Sequence, residues 1–174
     1  MFNLNFKKLL FNGIWDAGGT GTGEPGFNVA TTTVNTEGQN VTVGSSTSDS
    51  EARYWFNTLI HALNRVVINA TNLSIGQSCF KLGTGTKTPT EEDYDIEAEA
   101  RDLVINQVTQ TTTAVFAKTY NLNITNTGSS AITLREVVQV LRLYNNKDIA
   151  ISRTLTAVSF APGETKIIMV EVSL

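Results

Sequence analysis

Six carboxylates crowd residues 91–99: Glu91, Glu92, Asp93, Asp95, Glu97 and Glu99. Oxygen ligands at alternating positions suit a hard cation such as calcium, and a pair of carboxyl groups can serve glycoside hydrolysis. Asp93, Asp95 and Glu97 are the candidate metal ligands. The turn glycine of an EF-hand loop is missing, which favours a solvated or neighbour-facing acidic surface over a calcium site. Just upstream, Gly83 to Thr88 reads GTGTKT and invites comparison with a phosphate loop. Such a loop needs Gly directly before Lys and a helix after it. Here Thr86 precedes Lys87, and Pro89 follows two residues later. Gly21 to Gly26 matches GxGxxG, but Pro25 lies inside it and no helical pattern follows, so the dinucleotide reading fails.

The remaining reactive side chains are sparse. His61 is the only histidine and Cys79 the only cysteine. His61 falls inside a helical pattern, near the edge of its apolar face. Cys79 sits in an apolar, strand-like run, where a buried inert thiol is expected. A His-paired nucleophile or a zinc site would need further ligands that nothing in the order of residues suggests. The sequence therefore points to no catalytic residue, no cofactor and no resident metal.

The elements that must position these residues are mostly strands. Val29 to Val43 holds two Thr/Val runs around Glu37-Gly38-Gln39-Asn40 and predicts a hairpin or two short strands. Ser48 to Val66 predicts an amphipathic helix. Ser48 and Glu51 fit a capping box, and Ala52, Trp55, Phe56, Leu59, Ile60, Leu63 and Val66 recur at helical spacing. Ala114, Phe116, Tyr120, Leu122 and Ile124 alternate as in a half-buried strand. Ile132 to Tyr144 follows after the turn Asn126-Thr127-Gly128-Ser129. Its apolar pairs Val137-Val138 and Val140-Leu141 predict a bulge or a central position. Ile149 to Phe160 predicts a strand or a broken pair, and Pro162-Gly163 a turn. The last strand is marked by Ile168, Val170, Val172 and Leu174. The expected fold is mainly β: an antiparallel β-sandwich with the one helix, about 48–66, packed on it. Residues 27–174 form that domain. Residues 1–26 form an N-terminal arm and a Gly-rich loop. The alternating Phe2, Leu4 and Phe6 predict either a first strand of the domain's own sheet or an arm that packs on a neighbour.

Composition agrees with this. The chain has 174 residues, enough for one domain with a core, and only 17% of them are charged. Thr favours strands, while Gly and Asn favour turns. A net charge of -3 argues against nucleic acid as the main partner, since phosphate binding wants a Lys/Arg excess. No run is long and apolar enough to span a bilayer, and the N-terminus lacks the pattern of a signal peptide. With a single cysteine, these features predict synthesis in a reducing cytosol.

Leu82-Gly83-Thr84-Gly85-Thr86, then Pro89, then an acidic stretch with Tyr94 and Ile96, resembles a pattern of small tailed-bacteriophage virion proteins. In those an LGTGTT-x-P segment precedes an acidic stretch and a run of strands. Ile132-Thr133-Leu134-Arg135-Glu136-Val137, Ile151-Ser152-Arg153-Thr154 and the turn at Pro162-Gly163 extend the resemblance over residues 73–174. Lys87, Gln139 and Arg142 depart from it. The resemblance implies a non-enzymatic structural protein of the virion, present in many copies. Its expected partners are other virion proteins and copies of itself, with no nucleic acid and no membrane. A head or head–tail accessory role is favoured, with a tail- or fibre-associated module for host carbohydrate as the alternative. Phe2, Leu4, Phe6, Trp15 and Tyr94 are the expected subunit-interface residues.

Overall fold

The structure is a computed structural model that describes residue 7 and residues 31–43, 64–68, 73–90, 92–114, 117–142 and 148–173. It is mainly β and antiparallel. The strands are β1 (Thr31–Val34), β2 (Asn40–Val43), β3 (Ser78–Gly83), β4 (Leu103–Ala114), β5 (Ala117–Asn126), β6 (Ile132–Arg142), β7 (Asp148–Phe160) and β8 (Thr165–Ser173). β1 and β2 form a hairpin, as their Thr/Val runs predict. The other strands form two three-stranded sheets, ordered β3-β6-β7 and β4-β5-β8.

Most of the expected helix, residues 48–63, lies outside the described residues, as do Phe2, Leu4, Phe6 and Trp15. Val66, expected as the last residue of that helix, instead bridges in parallel to Ser78 at the start of β3. The alternating run from Ala114 to Ile124 is not one strand. Ala114 closes β4 and pairs with Ala117, which opens β5, so the chain reverses between them.

The inner faces of the two sheets share one hydrophobic cluster. Leu82, Leu134, Val137, Leu141, Ile151 and Phe160 come from β3-β6-β7; Ile105, Tyr120, Leu122, Ile124, Val170 and Val172 come from β4-β5-β8. Phe80 meets Tyr120 edge to face at 5.1 Å between ring centres, a geometry that adds to area burial. β6 is buried on both faces. Val138 and Val140 lie in a second cluster with Leu73, Cys79 and Ala150, against which Val67 and Ile96 pack. This accounts for the doubled apolar pattern of β6, which is both the central strand and irregular. Register shifts occur between Leu134 and Glu136 and between Gln139 and Val140. Leu134 and Val137, three residues apart, both face the inner cluster, so the alternation breaks between them. That break turns Glu136 to the outer face beside Val138.

Two turns at one end are tied together by Asn126, which is fully buried. Its Nδ2 donates to Ser130 O at 2.8 Å and Ala161 O at 3.2 Å, and its Oδ1 accepts from Gly128 N at 2.9 Å. Pro162 and Gly163 form the expected turn. Gly163 has φ of 74°, which a type II turn requires at that position. On the outer face of β4-β5-β8 Asn106 donates to Thr125 at 2.6 Å and Thr125 bonds Thr165 at 2.7 Å, beside the exposed Ile167, Met169 and Glu171 of β8. At the other end Arg142 closes the β6–β7 pair with a bidentate bond to Asp148 at 2.7 and 2.9 Å, and also donates to Leu73 O at 2.7 Å.

Candidate functional site

The chain leaves β3 at Gly83, travels through the GTGTKTPT and acidic residues, and returns antiparallel to the outer edge of β3. Thr84 N donates to Ala98 O, and Ala100 N to Leu82 O, both at 2.8 Å. Gly83 and Glu99 form the bridge between them. The intervening residues fold over the outer face of β3-β6-β7, where the break in β6 has placed Glu136.

Glu136 is fully buried. Its Oε1 accepts backbone N–H bonds from Gly85 at 3.1 Å, Glu97 at 2.9 Å and Ala98 at 3.1 Å. Its Oε2 accepts from Arg153 Nε at 3.0 Å and lies 2.8 Å from Nη2. Arg153, on the neighbouring β7, is 4% exposed at its side chain. Its Nη1 pairs with Asp93, and its Nη2 donates to Lys87 O at 3.2 Å. One guanidinium thus holds a carboxylate of the sheet, a carboxylate of the loop and a loop carbonyl. Its planar fork of donors suits that division, where a lysine would not.

The two glycines explain how the loop comes so close. A Cβ at Gly83 would lie 2.4 Å from Glu136 Cγ, and one at Gly85 would lie 2.5 Å from Glu136 Oε1 and from Glu97 Cβ. Backbone N–H groups, one from Gly85 of the Gly-rich run and two from Glu97 and Ala98, do bind an anion here, as in phosphate loops. The anion is the protein's own carboxylate, which occupies the space a phosphate would need.

The acidic residues are divided among separate partners. Asp93 accepts from Thr90 N at 2.7 Å and Thr90 Oγ1 at 3.1 Å, beside its pair with Arg153. Asp95 pairs with Lys81 at 2.9 Å. The Glu97 carboxylate accepts from Lys87 N at 2.8 Å. Asp93, Asp95 and Glu97 are therefore brought into one loop but not onto one point. Among the described residues no group of three His, Cys, Asp or Glu could hold a metal ion. Tyr94 is half exposed, and its ring leans on the β1–β2 turn, within 3.3 Å of where a Cβ on Gly38 would be. A cavity of about 250 Å³ beside it is lined by Lys87, Asp95, Glu97 and Arg153 among others. Cys79 lies on the same outer face and is fully buried. Burial, with the Asp148 charge adding to it, pushes its thiol up to about 12, so it is no nucleophile at neutral pH.

Glu136 and Arg153 are the residues that motif reading misses. Their signal is a charge next to an apolar run, Glu136 before Val137-Val138 and Arg153 shortly after Ile149-Ala150-Ile151. The structure buries both, and a buried charge needs a partner.

Removing one member of a buried pair leaves the other uncompensated, at about 3–5 kcal/mol. We expect Arg153→Met and Glu136→Leu each to lose about that much in urea unfolding, out of a total of roughly 5–15 kcal/mol. The double variant Glu136→Leu/Arg153→Leu should not recover stability. The N–H groups of Gly85, Glu97 and Ala98 remain buried without an acceptor, which an apolar replacement cannot supply.

Asp93 gives a pH dependence. Burial raises its pKa, but the Thr90 backbone N–H, the Arg153 guanidinium and the Thr90 hydroxyl outweigh that, and the carboxyl ends below its ordinary value. A group depressed on folding stabilises above its unfolded pKa, about 4. That contribution disappears as pH falls through the folded value. Urea unfolding between neutral pH and pH of about 3 should show stability falling with acid, with a shallower fall in Asp93→Asn. Equal slopes would show that Asp93 is not the titrating group.

Comparison with family models, with curated proteins and with solved structures finds no match for this chain.

Proposed function

We propose that this is a non-enzymatic structural protein of a tailed-bacteriophage virion, assembled in multiple copies, with a head or head–tail accessory role. The observation that carries the reading is the Glu136–Arg153 clamp. It joins three of the segments on which the resemblance to virion proteins rests: the GTGT loop, the strand around Glu136 and the strand around Arg153. The clamp also commits the chain's densest charges to holding a loop. That suits a part that acts by shape.

The two sheets, joined through a single cluster, are read as a β-sandwich, and the N-terminal residues as the arm that reaches neighbours. The partners are other virion proteins and further copies of this chain, and the location is the virion. Mass spectrometry of purified particles should find the chain at many copies per particle. Its absence from particles, with a monomer at every concentration in solution, would overturn the reading.

Tyr94 favours the second reading, a tail-associated module for host carbohydrate. Sugar sites set an exposed aromatic beside polar groups, and Tyr94 stands half exposed beside the charged cavity. On a glycan array the virion-accessory reading gives no signal. A signal lost in Tyr94→Ala would favour the carbohydrate module instead.

A further inference from the structure

The sheet β4-β5-β8 ends on one side at β8. This strand pairs with β5 from Thr165 to Ser173 and with no other strand among the described residues. β3 differs. Its outer edge is covered at one end by Val66 and Val67 and at the other by Ala98 to Ala100. Open edges are usually guarded by an outward lysine, a proline or a bulge. β8 has no proline, and its register with β5 is unbroken. Its lysine is turned back onto its own subunit: Lys166 Nζ lies 3.1 Å from Glu164 and 5.4 Å from the centre of the Phe160 ring. Between the exposed Thr165 and Glu171, β8 presents Ile167 and Met169 to solvent, at 68% and 71% exposure.

We propose that this edge is an interface between two copies of the chain, in which β8 pairs antiparallel with β8 of a second copy about a two-fold axis at Ile168. The proposal rests on the multi-copy reading above and names the contact that would serve it. Residues directly opposite in an antiparallel pair share a face of the sheet. With Ile168 opposite its counterpart, Ile167 faces Met169 of the second copy, and Met169 faces its Ile167. All four exposed apolar side chains then meet on one face. Thr165 faces Glu171 of the second copy, so no charge meets a like charge. A shift of the axis to Ile167 sets Met169 against Thr165, and a shift to Met169 sets Ile167 against Glu171. The register centred on Ile168 is the one that pairs each exposed apolar side chain with another.

Such a contact is isologous and closes on itself. In this register residues 165–171 of each copy overlap, a seam of about 24 Å at a rise of roughly 3.4 Å per residue. One strand edge and its side chains bury less than the roughly 1,200 Å² of a stable two-body interface. The contact is therefore weak alone and gains strength by repetition, which suits an assembly of copies better than a tight foreign partner.

The test uses the full chain with single substitutions Ile167→Cys and Met169→Cys. Cys79 is fully buried and stays silent. Mixed at high concentration under mild oxidation, the two variants should give a disulfide-linked dimer several-fold more abundant than either gives alone. The mixture also prevents a bond within one strand. Met169→Lys should abolish concentration-dependent sedimentation with an unchanged circular dichroism spectrum. Failure of either result overturns the seam. A chain that still assembles while both fail leaves the multi-copy reading standing with another interface. A chain that never assembles and is absent from particles overturns that reading itself.

Discussion

A carboxylate sealed inside a protein is tolerable only if its charge is answered on every side, and Glu136 shows how that requirement organises a structure. Three backbone N–H groups and a guanidinium surround it. The N–H donors come from both ends of one loop, and the guanidinium comes from the next strand. Satisfying the charge therefore fixes the start and the return of the loop, and the pairing of β6 with β7, in one arrangement. The glycines follow from the same demand, since a side chain at Gly83 or Gly85 would occupy the space of the carboxylate.

The rest of the architecture supports that point. β6 can bury a charge on its outer face because it is central in its sheet and covered on both sides. Val138, Val140, Cys79 and Ile96 keep the surroundings dry. In a dry setting an ion pair is strong, and so is the penalty for leaving it incomplete. Hydrophobic packing and the polar clamp are thus not alternatives here. The packing excludes the water that would otherwise weaken the clamp, and the clamp holds the loop whose Ile96 completes the packing.

Strand positions were legible from the sequence because alternation and turn chemistry act locally. Pro162-Gly163, the turn after Asn126 and the runs at 132–144 and 149–160 needed no tertiary information. The doubled valines of β6 announced a strand covered on both faces. The reversal between Ala114 and Ala117 was not legible, because apolar alternation continues through it. The clamp was not legible for a different reason. Its members lie on three segments far apart in the chain, and no spacing rule relates Gly85 to Glu136 or Asp93 to Arg153. Each carried a local mark, a glycine pair or a charge next to an apolar run, but only the pairing of β3 with β6 and β6 with β7 brings the marks together. The partners of the acidic residues were hidden for the same reason. Their spacing suggested a solvated or neighbour-facing surface ahead of an ion site, and only the loop shows Asp93 directed to Arg153 and Asp95 to Lys81.

The loop's closing contact has a consequence in time. Gly85 and Glu136 are 51 residues apart in the chain, and Arg153 comes later still. β6 and β7 are joined by a short connection and can pair early, but the loop has nothing to close on until they have done so. Contacts between distant residues form late because the chain must first lose the freedom of the intervening segment. The segment most central to the finished structure therefore takes its place only after β6 and β7 have paired.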